Sequence, residues 1–307
     1  MDVKISAIVC THNRASYLRN ALSSLVNQSI PVEKYEVIVV DNGSQDDTSQ
    51  VVAEFAQRSS IRYIYEPELG LSRARNTGWQ NAQGEYIAYL DDDAIADQGW
   101  LTKIVEVFET FKPRPGCIGG KVNPIWESPQ PRWLSDSMMS WLAILDYSDT
   151  PVILDDPRHL VGANIAYPRH LLETMSGFNI SLGRKGNNLL SNEESLLHNR
   201  LVKMGYACIY HPEIIVGHHI QISRLNQAWF KRRLYWQGIS NAILLIAQKS
   251  PTSSRRLLWA LSAILKVFSP RRLFNLLIPT NDPQCFERKC SAFGQVGYLA
   301  GLLGMAK

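Results

Sequence analysis

The sequence predicts an α/β fold: an open, mostly parallel sheet flanked by helices, with a helical and basic C-terminal extension. Short β-branched runs alternate with segments of helical periodicity through the first third of the chain, and that alternation implies parallel pairing. Charge marks the extension, because residues 1–220 hold 19 Lys and Arg against 26 Asp and Glu, whereas residues 221–307 hold 13 against 2. With 307 residues, 45% of them hydrophobic, the chain is long enough for a substantial core.

The elements follow in order. "KISAIVC" (4–10) reads as a strand, and Leu18, Ala21, Leu22, Leu25 and Val26 then recur at helical spacing. "YEVIVVD" (35–41), "IRYIYE" (61–66) and "GEYIAYLD" (84–91) read as further strands, with "TSQVVAEFAQ" (48–57) as a helix. Asp97 is placed to cap a helix whose Trp100, Leu101, Ile104, Val105 and Phe108 share one face, and "KPRPG" (112–116) stops it. Residues 117–160 read as loop-rich, and Pro124, Pro129, Pro131 and Pro151 alternate with Trp126, Trp133 and Trp141 there. Those tryptophans fit either a substrate-facing wall or ordinary aromatic packing. Helical periodicity returns at 193–204, with Gly205 as its stop.

From 221 onward the chain reads as helical and basic. In 255–278, Leu257, Leu258, Leu261, Ile264, Leu265 and Phe268 line one side, flanked by the pairs Arg255–Arg256 and Arg271–Arg272. Such a stretch suits peripheral contact with an anionic membrane, or a helical flap, or a homodimer element. Nucleic acid is not expected, because these basic residues lie among aliphatics rather than on an aromatic platform. The uncharged run 290–306 is 17 residues with four glycines, short of the roughly 20 that a membrane span requires. The start of the chain has no signal-peptide pattern, and the five cysteines are scattered and read as free thiols. The expected location is cytoplasmic, peripheral at the inner face of the membrane if the extension binds lipid.

In an open parallel sheet, ligands bind beyond the carboxyl ends of the strands. "THNR" (11–14), Asp41 and the triplet Asp91, Asp92 and Asp93 all fall at such ends. Three adjacent carboxylates repel one another, and a hard divalent cation, Mn²⁺ or Mg²⁺, relieves that repulsion most directly. Mg²⁺ commonly keeps positions for phosphate oxygens, so a phosphorylated ligand is implied. There is no GxGxxG after the first strand and no GxxxxGK[ST], which removes the main support for dinucleotide redox and Walker-type hydrolysis. Basic residues such as Arg73 and Arg75 in "GLSRARNTG" (70–78) are then candidates for phosphate oxygens.

The series "IVCTHNR", "VIVVDNGSQDDT", "GLSRARNTG" and "YIAYLDDDA", continued by "GGKVNPIW", "VGANIAYPR", "SNEESLLHNRLVKMGY" and "VGHH", resembles the inverting glycosyltransferases of family 2, which have the GT-A fold. The resemblance covers about residues 3–240. It implies a catalytic domain over 1–220, with a nucleotide-binding half (1–115) and an acceptor-binding half (116–220), before the extension at 221–307. It further implies that Thr11, His12, Arg14 and Asp41 surround the base and ribose of a nucleotide-sugar donor, and that Arg75 approaches the ribose or diphosphate. Asp91 and Asp92 would face the sugar or ribose, and Asp93 would ligate the metal.

Inversion needs a carboxylate to take the acceptor's proton, and Glu193 and Glu194 are available. Neighbours at a helix start point about 100° apart, so only one aims directly at a given oxygen. The family's pair places the base second, which maps to Glu194, although Glu-Glu replaces the commoner Glu-Asp here. Both would equally suit the N-terminal end of a helix dipole. A late histidine often completes the family's metal site; His218 and His219 point to opposite faces, and His218 is preferred. "AWFKRRLYWQGIS" (228–240) lacks the QxxRW motif that the resemblance leads one to seek in processive synthases, so a single addition to a saccharide or lipid-linked saccharide is expected; the resemblance favours UDP as carrier, with GDP or dTDP the others. A nucleotidyltransferase and a noncatalytic sugar-nucleotide-binding protein are the rival expectations.

Overall fold

A computed structural model describes residues 3–57, 59–154, 158–267 and 279–305. Arg271 and Arg272, assigned above to headgroup contact, and Phe268 lie outside the described residues. The chain forms two compact units. The first comprises Met1–Ile125, Ala143–Ile180 and Leu197–His219; the second comprises Trp126–Leu142, Ser181–Leu196 and Ile220–Lys307.

The first unit is built on one sheet. Its strands are β1 (Ile5–Thr11), β2 (Tyr35–Asp41), β3 (Ile61–Tyr65), β4 (Tyr86–Asp91), β5 (Ala94–Ala96), β6 (Pro115–Trp126), β7 (Val152–Ile153), β8 (Ile165–Pro168) and β9 (Ala207–Ile220). Among the described residues the order is β3-β2-β1-β4-β8-β6-β9-β5, with β7 beside β9. The pairs β2–β3, β1–β2 and β1–β4 are parallel. β8 then runs antiparallel to β4 and to β6, and β5 antiparallel to β9. The parallel character thus belongs to the first four strands.

Helices α1 (Ala15–Val26), α2 (Thr48–Ala56), α3 (Leu71–Gln80), α4 (Trp100–Thr110), α5 (Arg169–Met175) and α6 (Glu193–Lys203) complete the layers. Period-2 alternation divides β1 between two cores. Ile5, Ala7 and Val9 join Leu18 and Leu22 of α1 and Leu101, Ile104 and Phe108 of α4. Ile8 instead joins Ala74 of α3, Leu171 of α5, and Leu197 and Leu201 of α6. Each such side chain contributes about 1.5–3 kcal/mol on full burial, so one strand secures helices on both faces.

Two expectations differ from the structure. Asp97 does not cap α4 with its side chain; its carboxylate accepts from the Gly99 amide in a turn, and Gly99 is the N-cap. Residues 117–126 are not loop but most of the twelve-residue β6. Gly119 and Gly120 obscured that strand because they lack side-chain pattern. A Cβ at either would overlap a carbonyl oxygen of a neighbouring segment, so glycine is what lets β6 pack there.

The second unit contains α7 (Gln227–Lys249), α8 (Ser253–Val267) and α9 (Pro283–Leu303). A Cβ on Gly238 or Gly297 would overlap backbone of the facing helix, so glycines set how closely α7 and α9 approach. Trp133 packs edge-on against Phe230 and Phe286, an aromatic cluster that settles its role as packing. Helix α8 presents its small residues Ala260 and Ala263 to Ala242 and Leu302. Leu257, Leu258, Leu261 and Leu265 are each more than half exposed. Among the described residues no helix is long and apolar enough to cross a membrane.

Candidate active site

Strand β1 lies between β2 and β4, so the winding of the sheet reverses there, and the carboxyl ends of β1 and β4 open a crevice. Register sets Thr11 opposite Asp41 and Cys10 opposite Asp91. Arg14, just before α1, binds two of the aspartates. Its Nη1 donates to Asp92 Oδ1 and to Asp93 Oδ2, each at 2.9 Å. Thr11 Oγ1 donates to the other Asp92 oxygen at 2.8 Å. Burial pushes the Asp92 carboxyl up to about 6, against the opposing pull of Arg14.

Asp91 ends β4 and is half-buried, with Arg75 Nη2 3.5 Å from its Oδ1. Arg75 is itself buried, its guanidinium 5.8 Å and 5.4 Å from the ring centroids of Tyr89 and Phe178. Those rings hold a planar cation at the strand end. Arg73, two residues earlier, pairs instead with Glu68 at the surface.

The histidine pair separates as alternation requires. β5 pairs with β9 so that Ala94 faces His218, and the His219 amide donates to the Asp93 carbonyl at 2.9 Å. His218 is buried with its Nε2 3.2 Å from Asp93 Oδ1. His219 turns away and meets the Tyr17 ring edge-on.

His12 and Asp41 occupy the same rim. His12 Nδ1 donates to the Asn42 carbonyl at 2.8 Å, which fixes its tautomer. Asp41 is buried, and its carboxylate accepts from the Tyr63 hydroxyl (2.7 Å) and the Ser44 amide (2.8 Å). Asn42 went unnoticed in the sequence, yet it ties the rim together: its side chain donates to the Glu66 and Glu68 carbonyls and accepts from Gly70, the residue before α3. Its place directly after a strand-ending aspartate was the available signal.

Glu193 and Glu194 open α6 and belong to the second unit. Glu193 is buried and Glu194 half-buried. Asn192, at φ 74°, precedes them and is held by Gln237 Nε2 and Asn241 Oδ1 of α7, each at 2.8 Å. Arg233 of the same helix donates to Gln237 Oε1 and lies over the Trp141 ring. Burial and then Arg184 push the Arg233 guanidinium down to about 10, and Glu193 and Glu194 counter them, so it remains a cation beside the two carboxylates. Also within this unit, a cavity of about 490 Å³ is lined by Trp141, Gln237, Asn241, Glu287, Gln295 and Tyr298 among others. Asn192, Arg233 and Gln237 carry no sequence signal of their own; only folding brings α7 against the start of α6.

The donor set at the crevice fits a hard divalent cation. One ligand atom each from Asp91, Asp93 and His218 lie within 4.8 Å of one another. His218 Nδ1 is buried and has no hydrogen-bond partner, so the fold engages this imidazole only through Nε2, beside Asp93. Two carboxylates and one nitrogen leave coordination positions for water and phosphate oxygens.

The chain belongs to glycosyl transferase family 2: the family model matches residues 6–175, more than half its length. It is therefore a family 2 glycosyltransferase, an enzyme of glycan biosynthesis, and its fold is GT-A. It is 26% identical over 98% of its length to a glucosyl-dolichyl phosphate glucuronosyltransferase of Haloferax volcanii, covering 97% of that protein. Among solved structures it resembles a mannosyltransferase of Pyrobaculum calidifontis in complex with GDP-Man and Mn²⁺ (TM-score 0.61, 20% identity, 96% of this chain and 87% of that one). It also resembles Staphylococcus aureus TarS in complex with UDP (TM-score 0.56, 16% identity, 99% and 92%).

Proposed function

We propose that this enzyme transfers a sugar, with inversion, from a nucleoside diphosphate donor of the UDP class to a hydroxyl of a lipid-linked saccharide. The observation that carries the proposal is the convergence of Thr11, Arg14, Asp91, Asp92, Asp93 and His218 at the reversal point of the sheet. Asp93 and His218, with Asp91 beside them, would hold Mn²⁺ or Mg²⁺, which when bound supplies Lewis-acid stabilisation of the departing diphosphate. The structural relative with GDP-Man and Mn²⁺ supports a metal of this kind.

The roles of the chain's own groups follow from their chemistry. Asp41, Thr11 and His12 take the nucleoside, Arg75 the ribose or diphosphate, and Asp92 the donor sugar. The acceptor oxygen bonds to the anomeric carbon as the bond from that carbon to the diphosphate breaks, and the acceptor's proton passes to Glu194. Glu194 is assigned as base over Glu193 because it is the less buried of the two. The cavity lined by Trp141 and Tyr298 with three side-chain amides has the chemistry of a saccharide site, rings for sugar faces and amides for hydroxyls.

A lipid-linked acceptor is supported by the outward leucines of α8 beside exposed Arg255, and by the relative whose name specifies a dolichyl phosphate substrate. Arg256 takes no part in that surface, since its guanidinium donates to the Leu302 and Gly301 carbonyls at the end of α9. The decisive experiment measures calorimetric binding and metal-dependent hydrolysis across UDP-, GDP- and dTDP-sugars, with Asp93→Ala as control. Turnover of one donor that needs metal and disappears in the variant supports the assignment. Equal turnover in Asp93→Ala would sink it.

A further inference from the structure

A second group of ligating side chains lies in the first unit, in its apolar core and away from the aspartates. Cys117 comes from β6, Cys208 from the neighbouring strand β9, and His198 from the second turn of α6. Both cysteines are fully buried and His198 is 7% exposed. One ligand atom from each lies within 4.8 Å of the other two. Their surroundings are Leu197, Leu201, Tyr210 and other members of one hydrophobic cluster. The structure contains no disulfide between the cysteines, and His198 Nδ1 is buried without a hydrogen-bond partner.

We propose that Cys117, His198 and Cys208 form a zinc site that fastens α6 to strands β6 and β9. Ligand type separates this site from the crevice. Thiolate sulfur and imidazole favour zinc, whereas carboxylate oxygens favour Mg²⁺ or Mn²⁺, so the two sites select different metals. Charge favours it as well: two thiolates neutralise Zn²⁺ and the imidazole is neutral, so the assembled group carries no net charge into an apolar interior. Binding converts two thiols to thiolates and releases two protons to solvent, with no oxidant or reductant required.

Size is also compatible. Zn–S bonds of about 2.3 Å and Zn–N bonds of about 2.0–2.1 Å in a tetrahedron separate ligand atoms by roughly 3.5–3.8 Å, compatible with three atoms that lie within 4.8 Å of one another. The three protein ligands leave a fourth position for water. Cys117 and His198 each hydrogen-bond the Cys208 thiol, so the three donors already converge on one point in the core.

The test uses the full chain, purified without chelator after expression in zinc-supplemented medium and analysed by plasma mass spectrometry. The expected result is one equivalent of zinc that persists through gel filtration and is released when an organomercurial titrates the thiols. Cobalt loading of the wild type should give thiolate-to-metal charge-transfer absorption, kept in Asp93→Ala and lost in Cys117→Ser and Cys208→Ser. His198→Ala should weaken zinc retention by more than about tenfold. If the cysteine variants do not fold, the wild-type cobalt spectrum and mercurial release decide. Absence of thiolate-to-cobalt absorption in the wild type would overturn the proposal, and so would a Cys117–Cys208 disulfide in the purified chain. Asp93→Ala removes donor-site metal but leaves the thiolate signal, so failure of this proposal and failure of the donor-site assignment give different results.

Discussion

Replacing Arg14 by alanine removes two charge-assisted hydrogen bonds of 2.9 Å and leaves the Asp92 and Asp93 side chains, 8% and 2% exposed, without their cation. Hydrogen bonds to charged groups contribute about 1.5–3 kcal/mol each, and stripping one partner from a buried pair costs about 3–5 kcal/mol. Because the Arg14 side chain keeps 28% of its exposure, solvent screening places the loss near the lower end, about 3 kcal/mol. At about 2–4 °C per kcal/mol for a domain of this size, the unfolding midpoint should fall by roughly 6–12 °C in chelator. Arg14 and a bound divalent cation both neutralise Asp93, so their effects should not add. Mn²⁺ should raise the midpoint more in Arg14→Ala than in the wild type, because the variant gains the positive charge it lacks and no longer repels the ion. Thermal unfolding by circular dichroism, with chelator and with Mn²⁺ for both proteins, measures all four corners of the cycle. An equal loss with and without Mn²⁺ would refute the idea that Asp93, which Arg14 bonds, also faces the metal.

Three further outcomes are expected. Glu194→Gln should keep donor affinity while transfer falls about 10²–10⁴-fold, read by calorimetry and product formation; full transfer would remove Glu194 as the base. Asn164→Ala should destabilise the first unit by about 3 kcal/mol in denaturant unfolding, because it orphans the buried Trp100 indole N–H and two carbonyls, at roughly 1–3 kcal/mol for an unsatisfied group. The contacts at stake are Trp100 Nε1 to Asn164 Oδ1 (2.9 Å) and Asn164 Nδ2 to the Lys121 and Ile214 carbonyls (3.1 and 2.8 Å), so a loss under about 1 kcal/mol would contradict that account. Leu258→Glu with Leu261→Glu should abolish sedimentation with anionic vesicles and leave donor hydrolysis intact; unchanged sedimentation would discard α8 as the membrane contact.

The sequence by itself determined the strand–helix alternation, the polar strand ends and the family, because these are local signals. A β-branched run, a turn glycine or an aspartate after a buried strand keeps its meaning wherever the chain later places it. Thr11, Asp41 and Asp91 could be assigned to one rim because parallel strands in a doubly wound sheet present their carboxyl ends on the same side. Strand β6 was invisible because Gly119 and Gly120 erase the side-chain alternation, and their purpose, close approach of other backbone, exists only after folding.

The helical extension shows the same limit in reverse. Its leucine periodicity suggested an apolar face, but periodicity cannot tell which face is covered, and α8 turns alanines inward and leucines outward. The family resemblance already named His218 with Asp93, and the pairing of β5 with β9 makes that contact; tertiary structure alone set Gln237 and Arg233 against the start of α6. It alone gathered Cys117, His198 and Cys208 from two strands and a helix. Such contacts depend on the register and packing of segments far apart in the chain, and no short-range pattern of residue types encodes them.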